Sequence, residues 1–281
     1  MGVGLLYHLA KEGWKDVVLV EKGELTSGST WHAAGLIPHF IGSLNMAKIH
    51  LYGADLYKKL ENETGQATGW HGCGAIRLAI DKDQLDWFHY VKGVLDQVGA
   101  ECHLLGPDEI KKVHPLLETD GFLMGAYTTG DGHTDPSGAT QAMAVGARNL
   151  GAEIYLNNRV TDTNLLPSGE WEVITKKGSI ICEHLVNAAG SFCEQVGMMA
   201  GIKVPMVNMV HQYLMTETIP EVAALEKELP VVRDPRSSCY YRQEQSGLII
   251  GPYEMNAKAW GLEGIDWSFD NALLPPDIER L

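Results

Sequence analysis

No apolar run in this sequence approaches the ~18 residues that a membrane-spanning helix needs. The opening MGVGLLYHLAKEG also lacks the basic stretch and small-residue cleavage site of a secretory leader. A water-soluble protein is expected. Positive charge is in short supply: 22 Lys+Arg stand against 36 Asp+Glu, a net charge of -14, so the surface field repels nucleic acid and anionic lipid. The five cysteines, Cys73, Cys102, Cys182, Cys193 and Cys239, are odd in number and include no C-x-x-C pair, which argues against a disulfide framework and fits free thiols. His71, His103, His114 and His133 lack metal-ligand spacing, so no metal is expected and each reads as a hydrogen-bonded polar side chain. Internal repeats, low-complexity tracts and long linkers are missing too. What is there is globular material, 45% hydrophobic and 21% charged over 281 residues, enough for one large domain or two small ones without staples.

The chain opens on half of a recognisable unit. Gly2 to Gly13 reads as an amphipathic helix stopped by glycine, and Asp16 to Glu21 as a short buried strand ending in a carboxylate. In a dinucleotide-binding βαβ unit, a strand and a G-x-G-x-x-G turn precede such a helix, and an acidic residue about 20 positions on bonds a ribose hydroxyl. Glu21 lies nineteen positions after Gly2. If Gly2 is the last glycine of that fingerprint, the first strand and the first two glycines would precede Met1. The alternative is that Glu21 is a solvated acid at a strand end. Glu24 to Leu36, ELTSGSTWHAAGL, then packs small and hydroxylated residues into a loop whose backbone N–H groups can approach a phosphate-bearing ligand closely.

Further along, residues 44–64 have helical spacing and stop at Gly65, and Gly74 to Ile80 alternates as a strand. Helices are predicted at Asp83 to Val98, Pro107 to Val113 and Ser137 to Leu150, with a strand at Glu101 to Leu105. The turn-rich GDGHTDP, Gly130 to Pro136, is placed to face a ligand. Ala152 to Asn157, Val160 to Leu166 and Trp171 to Thr175 read as a β-meander, and His184 to Gly190 as a buried strand leading into a helix at Ser191 to Ala200. Val207 to Glu217, Cys239 to Gln243 and Leu248 to Gly251 suggest strands of a second sheet, with an acidic helix at Glu221 to Glu228 between them. The fold class is therefore α/β with α+β character, a Rossmann-like domain interleaved with an antiparallel-sheet domain.

The stretch VEKGELTSGSTWHAAGL resembles the dimethylglycine and sarcosine dehydrogenases of the amine-oxidising FAD family, in which the histidine of T-W-H-A-A-G or T-W-H-T-A-G carries the flavin covalently. YTTGDGHTDP (Tyr127 to Pro136), NAAG (Asn187 to Gly190), His211-Gln212-Tyr213 and Gly251-Pro252-Tyr253-Glu254 fall in the family's order, so the resemblance covers the whole chain. Ala33-Ala34-Gly35 is nearer to the dimethylglycine type. The resemblance implies FAD bound covalently through His32, with Gly2, Glu21, Lys22, Ser29, Thr30, Trp31, Ala33, Ala34, Gly35, Leu36, Val160 and Gly190 along the cofactor. It implies cofactor-binding parts at about 1–80 and 137–203, and substrate-facing parts at about 81–136 and 204–281.

The implied reaction is oxidative N-demethylation of an N-methyl amino acid, dimethylglycine to sarcosine, by hydride transfer from the N-methyl group to flavin, because side chains alone cannot accept two electrons. His211 and Tyr240 are the expected amine-facing pair: imidazole titrates near neutrality and a phenol can donate a hydrogen bond. Tyr241 competes with Tyr240, Tyr253 is a further pocket candidate, and Arg242 is the cation nearest for a substrate carboxylate. Implied partners are the small substrate and an electron-transfer flavoprotein, with tetrahydrofolate only if a C-terminal half follows. The implied location is the mitochondrial matrix or a bacterial cytoplasm. Alternatives are a sarcosine dehydrogenase or oxidase and a non-catalytic homologue that regulates pyruvate dehydrogenase phosphatase; His32 argues against the last. Without the upstream strand, the 281-residue stretch alone is expected to be marginally stable.

Overall fold

The computed structural model describes residues 1–280. Helix Gly2–Lys11 buries Val3, Leu6, Tyr7 and Ala10, one face at helical spacing, against helix Pro136–Asn149. The second helix opposes it with Ala139, Ala142, Ala144, Gly146 and Ala147, and the small residues let the axes approach: a Cβ at Gly146 would stand 2.7 Å from the Tyr7 ring. Asp135 caps this helix by accepting from the Ser137 and Gly138 N–H groups, with Pro136 in its first turn. Helix Leu44–Thr64 packs on the same partner and ends at Gly65 in the left-handed region, φ 74°. Strand Val18–Val20 pairs in parallel with Glu153–Tyr155 beside these helices.

A seven-stranded mixed sheet forms the other half. Its order is Leu214–Met215, Gly247–Pro252, Cys239–Glu244, Val231–Asp234, Ala75–Ala79, Met124–Thr128, Cys102–Leu105. Every neighbouring pair is antiparallel except Val231–Asp234 with Ala75–Ala79. Helix Lys82–Val98, capped by Asp81 and stopped by Gly99, covers one face with Phe88, Val91 and Leu95 against Ala79 and Ala126. Ile76, Leu78, Ile110 and Val232 fill the other. No helix among the described residues is long and apolar enough to cross a membrane.

The structure departs from the sequence reading at four places. Ala152 to Asn157 is not part of the meander: its Glu153–Tyr155 core pairs with Val18–Val20, and the third meander strand is Gly178–Cys182. His184 to Ala189 forms no strand and Val186 is 59% exposed, because no neighbouring strand among the described residues supplies the ladder that apolar pattern needs. The acidic helix is only Pro220–Ala223; Glu228 leaves helical geometry to reach two histidines across the fold. Val207 to Glu217 breaks into Asn208–Met209 and Leu214–Met215, which belong to different sheets. All five cysteines are free.

Of the four histidines read as satisfied polar groups, His114 departs. It is 8% exposed and its Nδ1 has no hydrogen-bond partner among the described residues. Burial pulls its pKa down to about 4 from 6.5. The unfolded chain therefore takes up the proton first, and stability drains as pH falls from 6.5 through 4. The full loss is about 3 kcal/mol. Urea melts at pH 7 and pH 4 should differ by about that much more in the parent than in His114→Leu; an equal pH dependence in the two would refute the assignment.

Candidate active site

Of the predicted cofactor residues, Glu21 and Lys22 directly follow the parallel strand Val18–Val20, and Gly2 opens the helix packed beside that strand. Gly2 begins the first helix, which has no side-chain N-cap, and is squeezed there: a Cβ would lie 2.8 Å from Leu19 Cδ1 and 3.5 Å from Ala188 Cβ. Glu21 ends the strand, its N–H donating to Tyr155 O and its carboxylate accepting from Gly23 N–H at 3.0 Å. Lys22 turns toward the late segment of the chain, donating to Phe269 O at 3.0 Å, pairing with Asp270 at 3.5 Å and lying over the Phe192 ring. Gly190 adopts φ 57° at the end of the Ala188 segment. Val160 is further off, at the start of the meander opposite Thr175, two residues past Asn158, whose N–H reaches Glu21 O.

The loop that follows Lys22 is a series of turns. Trp31 N–H donates to Thr26 O and Ala33 N–H to Thr30 O, leaving Ser29, Trp31 and Ala33 outward and Thr30 and Ala34 half-buried. His32 is half-buried with its ring edge-on to Trp31 at 5.0 Å, and among the described residues its imidazole has no hydrogen-bond partner. Gly35 is obligatory in its place: φ is +72°, and a Cβ would stand 2.1 Å from Thr134 O. Leu36 and Ile37 then pair with His133 and Gly132, tying the loop to the GDGHTDP turn.

The predicted amine residues gather on one face of the seven-stranded sheet. The register aligns Arg77, Arg233, Tyr240 and Gly251 across four adjacent strands. Tyr240 is 3% exposed and fits only because position 251 is glycine, where a Cβ would come within 2.0 Å of its ring. Burial pushes its phenol up to about 12, so the hydroxyl keeps its proton at neutral pH. Tyr253, two residues beyond Gly251, joins the pair: its ring stacks on His211 at 5.0 Å and tilts against Tyr240 at 5.7 Å. Glu254 lies 3.8 Å from His211 Nδ1. Tyr241 points to the opposite face, packing with the Ile76 cluster and sharing a hydrogen bond with Ser237.

Residues 1–280 match the FAD dependent oxidoreductase family, DAO. The chain belongs to that family. It is 44% identical over 286 residues to the mitochondrial dimethylglycine dehydrogenase of Rattus norvegicus, a match covering all of this chain and 33% of the relative. Against the mitochondrial sarcosine dehydrogenase of Homo sapiens it is 35% identical over 296 residues, covering all of this chain and 32% of that protein. The chain thus spans about a third of these relatives. The crystal structure of L-proline dehydrogenase from P.horikoshii superposes with a TM-score of 0.79 at 27% identity, covering 89% of this chain and 66% of the other.

The chain has residues that fit FAD. An uncapped helix start at Gly2 offers free N–H groups and a positive dipole end to a pyrophosphate. The unpartnered His32 imidazole stands in a glycine-tight loop. Arg159 Nε is buried without a partner among the described residues, and Arg159 and Lys22 lie over the stacked rings of Trp267 and Phe192, which brings their positive charges to one place.

Tertiary contacts missed from the sequence lie in the GDGHTDP turn. Asp131, 1% exposed, accepts from His39 N–H at 2.9 Å, His39 Nδ1 at 2.5 Å and Thr128 Oγ1 at 2.5 Å. Beside it a cavity of about 190 Å³ is lined by Leu36, Pro38, Arg77, Thr128 and Arg233 among others. The spacing argument against metal also meets a correction: His71, His133 and Glu228 bring donor atoms within 4.8 Å of one another. They satisfy one another, however. Arg242 donates to His133 Nδ1 at 3.0 Å, so His133 Nε2 carries the proton and donates to Glu228, and a guanidinium already stands where a cation would be opposed. Arg242 also pairs with Glu244 at 2.6 Å, which removes it as a free cation for substrate.

Proposed function

We propose that the protein is the flavin-carrying part of an enzyme that oxidises an N-methyl amino acid, dimethylglycine to sarcosine, with FAD attached through His32. The observation that carries this reading is the bare His32 imidazole in the T-W-H-A-A-G loop, whose last residues Leu36 and Ile37 line a cavity together with Arg77 and Arg233, and Arg233 is the cross-strand partner of Tyr240. Bound FAD supplies the two-electron acceptor for the C–H bond next to nitrogen. Gly2, Glu21, Lys22, Val160, Gly190 and the 29–36 loop would bind and orient the cofactor. On this reading residues of about 1–80 and 137–203 hold the cofactor, apart from strand Ala75–Ala79, which joins the seven-stranded sheet that roofs its reactive end.

The other residues position the amine. Tyr240 stays a hydrogen-bond donor at neutral pH, held in place by the space at Gly251. His211, 40% exposed and stacked on Tyr253, is poised to hold or move a proton at the substrate nitrogen. Onward electrons go to an electron-transfer flavoprotein or to oxygen, and tetrahydrofolate enters only if a C-terminal half follows. The mitochondrial relatives favour a mitochondrial matrix enzyme over a bacterial cytoplasmic one. Sarcosine is the second substrate reading, supported by the 35% identity, and relative turnover of the two amines separates them.

Anaerobic mixing of the flavin-loaded protein with dimethylglycine should bleach its visible absorbance. His211→Ala and Tyr240→Phe should each slow the bleaching ~10²-fold with flavin content unchanged. Parental rates in both variants would remove the pair from the reaction.

A further inference from the structure

We propose that Arg77 and Arg233, side by side on the cavity wall, form the carboxylate anchor of the amine site. The proposal rests on an amino acid being the substrate and names the residues that would recognise its acid group.

The two arginines are direct partners in the one parallel strand pair of the sheet, so their side chains leave the same face about 5 Å apart at the backbone. Both are half-buried and both line the 190 Å³ cavity. Among the described residues neither guanidinium has an ion pair or a side-chain hydrogen bond. Each instead lies over an aromatic ring, Arg77 over Phe40 at 5.2 Å and Arg233 over Tyr253 at 5.7 Å, which fixes its plane without neutralising its charge. Two like charges in a confined space repel, and burial together with Arg233 accordingly lowers the Arg77 pKa. Asp131, the one acid in the cavity wall among the described residues, has its oxygens engaged by His39 and Thr128.

An arrangement that keeps two unneutralised guanidiniums together is complete only with an anion between them. Paired forks match the planar, two-oxygen geometry of a carboxylate. The chain as a whole, at -14, repels anions, so attraction must come from a local concentration of positive charge. The cavity is below the ~300–1,000 Å³ of drug-sized sites and suits a molecule of a few heavy atoms. Placement agrees as well: Arg233 is directly cross-strand from Tyr240, so an acid held by the pair presents its amine along the row toward Tyr240, Tyr253 and His211. Arg242, closer in sequence to the tyrosines, is occupied by Glu244 and His133.

The test uses 3-methylbutanoate, which has the shape of dimethylglycine with carbon in place of nitrogen and cannot be demethylated, and its neutral amide. Calorimetry and the perturbation of the flavin spectrum should show the flavin-loaded protein binding the acid at least ~30-fold tighter than the amide. Arg77→Gln and Arg233→Gln should each erase most of that preference while leaving amide affinity within ~3-fold, and the Lys variants should restore part of it. In turnover, the Gln variants should raise the KM for dimethylglycine more than they lower kcat. Equal binding of acid and amide by the parent, or an acid preference that survives both Gln substitutions or is lost in Arg242→Gln alone, would overturn the anchor. An anchor that binds the acid in a protein whose flavin no N-methyl amino acid reduces would overturn the proposed reaction and leave the anchor standing. Reduction by dimethylglycine with unaltered KM in both Gln variants would do the reverse.

Discussion

Asp131→Ala is expected to cost about 3–5 kcal/mol of stability, a large share of the ~5–15 kcal/mol that holds a domain together. The carboxylate is 1% exposed, and its removal strands three buried donors at once: the His39 backbone N–H, the His39 ring and the Thr128 hydroxyl. His39 itself is 3% exposed, so its ring has no route to water. Asp131→Asn keeps one oxygen for His39 and offers an amide to Thr128, and should lose markedly less. A thermal melt should place the Ala variant on the order of 10 °C below the parent with Asn between them. An Ala variant melting within a degree of the parent would show that Asp131 is not the hub of this turn. Because the same residue anchors the chain two positions after Ile37, the variant that still folds should also hold flavin less firmly.

His32→Ala should release the cofactor. In flavin-loaded protein precipitated with acid, the parent is expected to keep its yellow colour in the pellet, and His32→Ala to give it up to the supernatant. The effect is close to all-or-none, since a covalent bond survives unfolding and every other contact to the flavin does not. The surroundings suit the role: the imidazole has no hydrogen-bond partner among the described residues and its Trp31 neighbour touches it edge-on, leaving a ring nitrogen free to bond. Thr30 and Ala34, half-buried to either side, are the contacts that should persist in the variant, which is expected to bind FAD reversibly. Flavin lost equally from parent and variant would sink the attachment.

The helices were the most legible part of the fold. Leu44–Thr64, Lys82–Val98, Pro107–Val113 and Pro136–Asn149 end within a residue or so of where apolar periodicity, caps and glycine stops put them, because those signals act within a few residues along the chain. The strands were legible as extended segments but not as partners. Glu153–Tyr155 could be read as a strand from its pattern, yet its choice of Val18–Val20 over the adjacent meander depends on surfaces more than a hundred residues apart. His184 to Ala189 had the right residues for a buried strand and has no strand to pair with among the described residues.

The site divides in the same way. The sequence by itself determined the α/β class, the chemical character of the 29–36 loop with its histidine, and the family; all three are written in contiguous residues whose meaning survives without coordinates. It could also nominate His211 and Tyr240. Only the tertiary structure decided which of Tyr240 and Tyr241 faces His211 and Tyr253, through strand alternation and the space at Gly251. The fold likewise withdrew Arg242 by giving it Glu244 and His133, and set Arg77 beside Arg233 from 156 positions away. The physical reason is that a charge is available or spent according to what lies within a few ångströms of it, and folding, not chain order, fixes those neighbours.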